Sequence, residues 1–297
     1  MSDLFKGFNT HIVDTAGATI HARSGGAGPP LLLLHGYPQT HVMWHRIAPK
    51  LAERFTVVAA DLRGYGDSSC PPSDPQRFTY SKRAMANDNV ELMETFGFKD
   101  FRVVGHDRGG RVAYRMALDF PDRVNRLAVL DIIPTHAVWA GLTADNAMRL
   151  FHWLFLAQPE PLPETLIARA PVEFFDRICA SWTKAGDLSA FSAEALTRYR
   201  LSFGDPLRIH AACEDYRSGR TYDDRADAAD RDAGKQIGCP VLALWGKGGL
   251  AGEAQTPLGV WREWAGNVDG AEIDAGHFLP EENPAATVEA LMAFLRK

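Results

Sequence analysis

The sequence is poor in cysteine, and its four cysteines lie far apart along the chain. Cys70, Cys179, Cys213 and Cys239 form no C-x-x-C pair and show no Cys/His spacing of a zinc site. We therefore expect free thiols, which are usual in a reducing compartment. The spacing predicts neither disulfide bonds nor a bound metal.

The sequence also lacks the long apolar run that a membrane-spanning helix needs. No stretch reaches the roughly 20 consecutive apolar residues required to cross a bilayer. The opening residues, MSDLFKGFNT, contain no basic region followed by an apolar run, as a secretory signal would. These absences predict a cytoplasmic protein without a membrane partner.

Positive charge is in the minority, with 32 lysines and arginines against 37 aspartates and glutamates and a net charge of −5. Such a balance does not favour binding to nucleic acid or to an anionic membrane. Hydrophobic residues make up 46% of the 297 residues, which is enough for a sizeable core. An anionic substrate would need a local cluster of positive charge, because the overall charge repels it.

Short apolar runs alternate with amphipathic helical patterns over much of the chain. The apolar runs predict a hairpin over residues 9–23, turning near Gly17, and strands at 31–34, 56–60, 101–104, 127–130, 240–245 and 272–274. Helical patterns cover residues 43–54, 80–97, 110–119 and 284–296. This alternation is typical of an α/β fold with a mostly parallel sheet flanked by helices.

Residues 137–235 contain no clear strand and are rich in helical spacing. We predict that they form a helical cap inserted between the sixth and seventh strands. Residues 1–136 and 236–297 would then form the core. Because ligands of open parallel sheets sit beyond the carboxyl ends of the strands, the residues directly after each strand are the candidates for a site.

A glycine-rich turn, GHDRGG at residues 105–110, follows the predicted strand 101–104. A strand, the pattern G-x-nucleophile-x-G and a helix, in this order, form the nucleophile elbow of the α/β-hydrolases. Serine usually occupies the centre of this pattern, whereas this chain has Asp107. The alternative interpretation is an aspartate that caps the following helix.

An aspartate at this position changes the chemistry of the elbow. A carboxylate is already anionic at neutral pH and can displace a leaving group from sp³ carbon, which gives an ester of the enzyme. Water then attacks the carbonyl carbon of that ester and regenerates the carboxylate. Dehalogenation and epoxide opening fit this chemistry, and ester hydrolysis through a serine is excluded at this position.

A base and an acid are expected at two other strand ends. His277 follows the last predicted strand, and a nucleophile, an acid and then a histidine is the chain order of the α/β-hydrolases. The sixth strand ends on Asp131, whereas no carboxylate follows the seventh strand before Glu253. We therefore assign the acid to Asp131, which would orient His277 and stabilise its protonated ring.

The loop after the third strand is expected to supply part of an oxyanion site. Residues 35–38, HGYP, carry the H-G-x-P pattern of this fold. The backbone N–H groups of Tyr37 and Arg108 would then face the oxygen that becomes negative during ester hydrolysis. We interpret His35 as a structural residue of the loop.

Two arginines supply the local positive charge that an anionic substrate needs. Arg108 directly follows the nucleophile, and Arg111 lies one helical turn further on the same helix face. Guanidinium groups match a carboxylate and can bind it through two parallel hydrogen bonds. The alternative is that Arg111 faces solvent or pairs with an acid of the cap.

The chain resembles the fluoroacetate dehalogenases over nearly its whole length. The segments that carry the resemblance are LHGYPQTHVMWHRIAPKLA (34–52), GHDRGGR (105–111), FHWLFLAQPEPLPE (151–164), SWTKAGDLSAF (181–191) and CEDYRSG (213–219). The elbow with its arginines and the His-Trp pair of the cap are the specific parts, whereas H-G-x-P is common to the fold.

The resemblance implies a role for each candidate residue. Asp107 would be the nucleophile, with Asp131 and His277 as acid and base. Arg108 and Arg111 would bind the substrate carboxylate. The halide would be bound by His152, Trp153 and Tyr216, whose N–H and O–H groups can replace the water around a leaving fluoride. The resemblance also implies a homodimer.

The expected function is therefore hydrolytic removal of halide from a small haloacid such as fluoroacetate or chloroacetate, with water and no metal or organic cofactor. An epoxide hydrolase of the same fold is the alternative, since a cap tyrosine such as Tyr216 can protonate an epoxide oxygen. Arg108 and Arg111 argue against it, because an epoxide carries no carboxylate. A non-catalytic binding protein of the same fold is a third interpretation, and the complete set Asp107, Asp131 and His277 argues against that.

Overall fold

The computed structural model describes residues 3–249 and 257–296. Its strands are β1 (Asn9–Asp14), β2 (Thr19–Gly25), β3 (Pro30–Leu34), β4 (Thr56–Ala60), β5 (Phe101–His106), β6 (Val124–Leu130), β7 (Val241–Gly246) and β8 (Val268–Ile273).

The α-helices are α1 (Ala48–Leu51), α2 (Lys82–Thr95), α3 (Asp107–Asp119), α4 (Thr135–Ala140), α5 (Ala144–Arg149), α6 (Phe151–Leu156), α7 (Leu162–Ile167), α8 (Pro171–Trp182), α9 (Ala193–Phe203), α10 (Pro206–Ser218), α11 (Asp224–Asp232), α12 (Pro257–Arg262), α13 (Leu279–Glu282) and α14 (Pro284–Leu295). A short 3₁₀ helix covers His41–Trp44, and a turn of π-helix covers Gly219–Asp223.

The eight strands form one sheet in the order β1-β2-β4-β3-β5-β6-β7-β8. β1 and β2 form the predicted antiparallel hairpin, β2 pairs antiparallel with β4, and the pairs from β4 to β8 are parallel. The mostly parallel sheet flanked by helices confirms the predicted fold class. Leu31–Leu34 of β3 are fully buried, as expected for a central strand with both faces covered.

The strand order reverses its direction at β3. The chain passes from β3 to β4 on one side and then crosses to β5 on the other side of β3. The carboxyl ends of β3 and β5 therefore flank a crevice where ligands of such sheets bind. The loop 35–38 and the turn 105–110 lie at these two strand ends.

The predicted helix over residues 43–54 is divided in the structure. The 3₁₀ helix ends at Trp44, and α1 begins at Ala48 with Pro49 in its first turn. Proline has no N–H group and is tolerated in the first turn of a helix but not in its interior, so a helix cannot run through Pro49 from Met43.

The helices α4 to α11 lie between β6 and β7 and form the predicted helical cap. α4 begins two residues before the predicted boundary at 137, and α11 ends three residues before 235. The division of the chain into these two units stays a prediction. Within the described ranges, no helix combines the length and the apolar character needed to cross a membrane.

Buried ion pairs connect the cap to the core. Arg115 of α3 pairs with Asp227 of α11, which also accepts a hydrogen bond of 2.6 Å from the hydroxyl of Tyr114. Lys82 of α2 and Arg108 of α3 both pair with Asp215 of α10. Removing one partner of such a pair leaves an uncompensated buried charge, so these contacts hold the cap over the crevice.

Candidate active site

Asp107 lies at a sharp turn between β5 and α3. Its φ of +46° falls in the left-handed region, which costs energy for a residue with a side chain. The turn also needs glycine beside it, because a Cβ on Gly109 would lie 2.3 Å from the carbonyl oxygen of His35. A strained backbone with an acidic side chain at a strand end is a feature of functional sites, and it favours the elbow over a simple helix cap.

The carboxylate of Asp107 is buried but is contacted from two sides. The backbone N–H of Tyr37 donates to Oδ1 at 2.8 Å, and Nε2 of His277 lies 4.0 Å from Oδ2. Burial by itself would raise the pKa of Asp107, but the neighbouring positive charges, with that of His277 the largest, hold this pKa below its usual value. The side chain is therefore anionic at neutral pH.

His277 and Asp131 form a direct hydrogen bond. The distance between Nδ1 of His277 and Oδ2 of Asp131 is 2.6 Å, and the N–H of Gly246 donates to the other carboxylate oxygen at 3.1 Å. Because an ionised carboxylate only accepts hydrogen bonds, Nδ1 carries the proton. Nε2, which faces Asp107, is buried and has no hydrogen-bond partner among the described residues.

The surroundings of His277 stabilise its protonated form. Burial by itself would lower the pKa of the ring, but the hydrogen bond and the charge of Asp131 raise this pKa above its usual value. Asp131 also has a φ of +53°, so the backbone turns sharply where its strand ends. The pair can accept a proton at Nε2 and hold the resulting charge. Glu253, the first carboxylate after the seventh strand, lies outside the described residues.

Arg111 lies beside Asp107 and lines a cavity. Its Nη1 donates to the carbonyl oxygen of Ile133 at 2.9 Å and contacts Oγ1 of Thr135 at 3.3 Å. The guanidinium carbon lies 4.4 Å from the centre of the Trp153 ring, a cation–π contact. Nε of Arg111 is buried and has no hydrogen-bond partner within the part of the chain that the structure describes.

Arg108 is fully buried and is paired with the cap. Its Nη2 donates to Oδ1 of Asp215 at 2.6 Å, and its Nε donates to Oδ2 at 3.1 Å. The pairing with a cap acid considered for Arg111 is thus found for Arg108. Nη1 of Arg108 remains without a hydrogen-bond partner among residues 3–249 and 257–296. Sequence analysis missed Asp215, although this residue immediately precedes the predicted Tyr216.

The cap brings the three predicted halide ligands next to the arginines. His152 and Trp153 lie on α6 and Tyr216 on α10, and the Tyr216 ring is 5.8 Å from that of His152 and 5.9 Å from that of Trp153. Nδ1 of His152 and the hydroxyl of Tyr216 are buried without a hydrogen-bond partner among the described residues. Burial lowers the pKa of His152 to about 3 and raises that of Tyr216 well above its usual value, so both side chains are neutral.

A cavity of about 730 Å³ lies beside Asp107 and reaches one of these three side chains, that of Trp153. Its lining includes Asp107, Arg111, Asp131, Trp153 and His277. Ile133, which follows β6, and Val138 of α4 also line it. The cavity therefore provides space for a small molecule beside the carboxylate of the elbow.

A comparison with known families agrees with the sheet order and the elbow. The model of the α/β-hydrolase fold matches residues 29–284. The chain belongs to the α/β-hydrolase family.

Relatives within the α/β-hydrolase family match almost the whole chain. The chain is 45% identical to a fluoroacetate dehalogenase of a Burkholderia species, over 98% of this chain and 95% of that protein. It is 34% identical to a soluble epoxide hydrolase of Corynebacterium sp. strain C12, over 94% of both chains. The resemblance to fluoroacetate dehalogenases that the sequence segments predicted is thereby confirmed.

Solved structures of α/β-hydrolases superpose closely on this chain. A protein of Nostoc sp. PCC 7120, provisionally named an α/β hydrolase, has a TM-score of 0.95 and 52% identity, and the match covers 98% of this chain and 99% of that chain. Similarity at this level extends to the cap as well as to the hydrolase core.

His106 is a further residue of the hydrolase elbow that sequence analysis did not single out. Its Nε2 donates to the backbone carbonyl of His277 at 2.9 Å, since a carbonyl oxygen can only accept. Burial and the nearby His277 lower the pKa of His106 to about 3, so its ring stays neutral. The residue connects the loop that contains His277 to the strand that precedes Asp107. Its position before Asp107 was the only signal in the sequence.

The pKa of His277 should depend on the charge of Asp131. In the wild-type protein we expect a pKa above the usual value of a histidine, so that the ring becomes neutral only as the pH rises through this raised value. In Asp131→Asn the pKa of His277 should fall, because burial still lowers it and the negative charge of Asp131 no longer raises it. NMR titration of the imidazole signals measures both values, and an equal pKa in the two proteins would contradict the assignment of Asp131.

Proposed function

We propose that this protein is a haloacetate dehalogenase, which converts fluoroacetate and water into glycolate, fluoride and a proton, and accepts chloroacetate as well. The observation that carries the proposal is an ionised aspartate at the elbow with an arginine that lines the cavity beside it. The name of the Burkholderia relative supports the same reaction. The proposal also includes a cytoplasmic homodimer that needs no metal or organic cofactor.

The substrate carboxylate would be bound by the two arginines. Nη1 of Arg108 and Nε of Arg111 are buried N–H groups with no partner among the described residues. A buried donor without a partner costs free energy, and a carboxylate oxygen removes that cost. The arginines would thus hold the methylene carbon of the substrate over Asp107.

In the first step an oxygen of Asp107 attacks the methylene carbon of the substrate. A carbon–oxygen bond forms while the carbon–fluorine bond breaks, and fluoride leaves with the electron pair. The product is an ester between the Asp107 carboxyl group and glycolate. Nothing has to be deprotonated for this step, because the low pKa of Asp107 keeps the nucleophile anionic.

The leaving fluoride would be stabilised by His152, Trp153 and Tyr216. Fluoride is small and strongly solvated in water, so its departure requires donors that replace this solvation. The neutral forms of His152 and Tyr216 keep their N–H and O–H groups available for donation. Donors placed before the reaction need no reorganisation as charge develops on fluorine.

In the second step water attacks the carbonyl carbon of the ester. Nε2 of His277 takes a proton from this water, and Asp131 stabilises the positive charge of the ring. The N–H groups of Tyr37 and Arg108 would stabilise the negative oxygen of the intermediate. The bond between the carbonyl carbon and the glycolate oxygen breaks, glycolate takes the proton from His277, and the carboxyl group of Asp107 then loses one proton to the solvent.

An epoxide hydrolase remains the second candidate function. The relationship to the Corynebacterium enzyme favours it, as does the hydroxyl of Tyr216, which has no hydrogen-bond partner among the described residues. Arg111 in the lining of the cavity favours a substrate with a carboxylate instead, because its guanidinium forms no ion pair among the described residues and would stay uncompensated beside an epoxide. Turnover of a simple epoxide in place of a haloacetate would decide for the second candidate.

Purified protein should release fluoride from fluoroacetate, and Asp107→Asn should abolish this release, because a neutral amide does not displace fluoride. An ion-selective electrode measures the free fluoride, with chloroacetate as the parallel substrate. Asp100→Asn, an exposed change just before β5, is the matched control and should retain wild-type activity. Unchanged activity of Asp107→Asn would rule out this residue as the nucleophile.

The variant His277→Asn should form the ester but fail to hydrolyse it, because no base then activates water. After incubation with fluoroacetate, mass spectrometry of the digested protein should find the added mass on the peptide that contains Asp107. One equivalent of fluoride should be released per active site and no more. An unmodified peptide with no burst of fluoride would remove His277 from the second step.

The variant Tyr216→Phe should reduce the release of fluoride more than the release of chloride, because fluoride depends more strongly on hydrogen-bond donors. We expect a loss of at least tenfold in kcat for fluoroacetate, from a lost donor to developing charge. Tyr222→Phe is the control, since the Tyr222 hydroxyl contacts Arg83 at 3.4 Å. Equal losses with both substrates would exclude Tyr216 as a halide ligand.

A further inference from the structure

Asp215 is a buried carboxylate of the cap that lies against the arginine next to the nucleophile. Besides the two bonds to Arg108, its Oδ2 accepts a hydrogen bond of 2.8 Å from the hydroxyl of Tyr65. Its backbone oxygen accepts a further bond of 2.9 Å from Nη2 of Arg108, and Lys82 pairs with Oδ1. The carboxylate is therefore bound by three different side chains.

Asp215 is ionised in these surroundings. Burial by itself would raise its pKa, but the positive charges of Arg108 and Lys82 hold this pKa well below the usual value. Nζ of Lys82 also lies 3.9 Å from Oδ2 of Asp223. The cluster thus places acidic groups of the cap directly behind Arg108.

The contacts of Asp215 restrict what Arg108 can offer to a ligand. Nε and Nη2 both donate to Asp215, so the fork of this guanidinium is occupied. Nη1 is the nitrogen that remains without a partner among the described residues. The guanidinium carbon lies 4.2 Å from the centre of the Tyr216 ring, a cation–π contact.

The same contacts reduce the charge that a ligand experiences. Arg108 and Lys82 face Asp215 and Asp223, which sets two positive charges against two acids of the cap, whereas Arg111 forms no ion pair among residues 3–249 and 257–296. Arg111 instead donates to neutral oxygens, those of Ile133 and Thr135. Arg111 is therefore the arginine whose charge no described acid of the cap balances, and one carboxylate of a ligand matches it.

We propose that Asp215 is a positioning residue that leaves one N–H of Arg108 available and cancels its charge, so that the site selects ligands with a single carboxylate. This inference rests on the proposed function, because it assumes that the arginines bind the carboxylate of the substrate. A second carboxylate would enter the buried site without a matching charge, which is strongly unfavourable.

Binding of two inert anions of similar size tests this selectivity. Propionate carries one negative charge and malonate carries two at neutral pH and above, and the cavity of about 730 Å³ has room for both. Isothermal titration calorimetry gives the two dissociation constants without any turnover. An effect that a substitution has on the binding of both ligands alike cancels in the ratio of the two dissociation constants.

In the wild-type protein we expect tighter binding of propionate than of malonate. In Asp215→Asn the dissociation constant of malonate should fall relative to that of propionate by at least tenfold, because the substitution removes one negative charge and little volume. In Lys82→Met it should shift in the opposite direction, because a positive charge behind Asp215 is lost. A residue that only holds the cap in place would not move the ratio in opposite directions.

Asp88→Asn is the matched control for the loss of a buried acid. Asp88 accepts a hydrogen bond of 2.6 Å from Nε of Arg63 and one of 2.8 Å from the hydroxyl of Thr15, away from the candidate site. In Asp88→Asn the ratio of the two dissociation constants should equal that of the wild type. If Asp215→Asn does not fold, the direction of the shift in Lys82→Met decides the question.

The outcomes separate this inference from the proposed reaction. An unchanged ratio in the variants, or a wild type that binds neither anion, overturns the role of Asp215 even if fluoroacetate is turned over. Opposite shifts together with no fluoride release support the carboxylate site and overturn the reaction. Opposite shifts with fluoride release support both.

Discussion

The turn at Asp107 is the constraint on which the rest of the site depends. The chain reverses from β5 into α3 within one residue in the left-handed region, and glycines on both sides allow neighbouring backbone to approach. This turn projects one carboxylate above the sheet, where the N–H of Tyr37 and the ring of His277 reach it. The strain is maintained because β5 lies in the middle of the sheet and α3 is almost entirely buried.

The parts of the site that could be predicted from sequence are those that follow directly from strand ends. The apolar runs before Asp107, Asp131 and His277 identify three parallel strands, and parallel strands bring their carboxyl ends to one edge of the sheet. The glycines around Asp107 identify the turn without any knowledge of the neighbours. The fold class and the insertion point of the cap follow from the same alternation of strands and helices.

The parts that could not be predicted are the contacts between residues that lie far apart in the sequence. The cap contains many acids, and no local pattern tells which of them pairs with Arg108, because Asp215 is more than a hundred residues away in the chain. His106 is marked in the sequence by nothing more than its position before Asp107, since its contact is with a backbone carbonyl of the loop at His277. The helical periodicity of residues 43–54 does not show the break, whereas Pro49 does, because proline is tolerated in the first turn of a helix and not in its interior.

The sheet and the cap supply different side chains of the candidate site, which has a consequence for how such proteins diverge. The carboxylate of the elbow, the histidine and its acid all come from the ends of strands, whereas the groups facing them from α6 and α10 belong to the insertion. Exchange of cap side chains can therefore alter which molecules are accepted while the hydrolytic apparatus stays intact. This agrees with the names of two relatives, one a fluoroacetate dehalogenase and the other an epoxide hydrolase, which both align with nearly the whole of this chain.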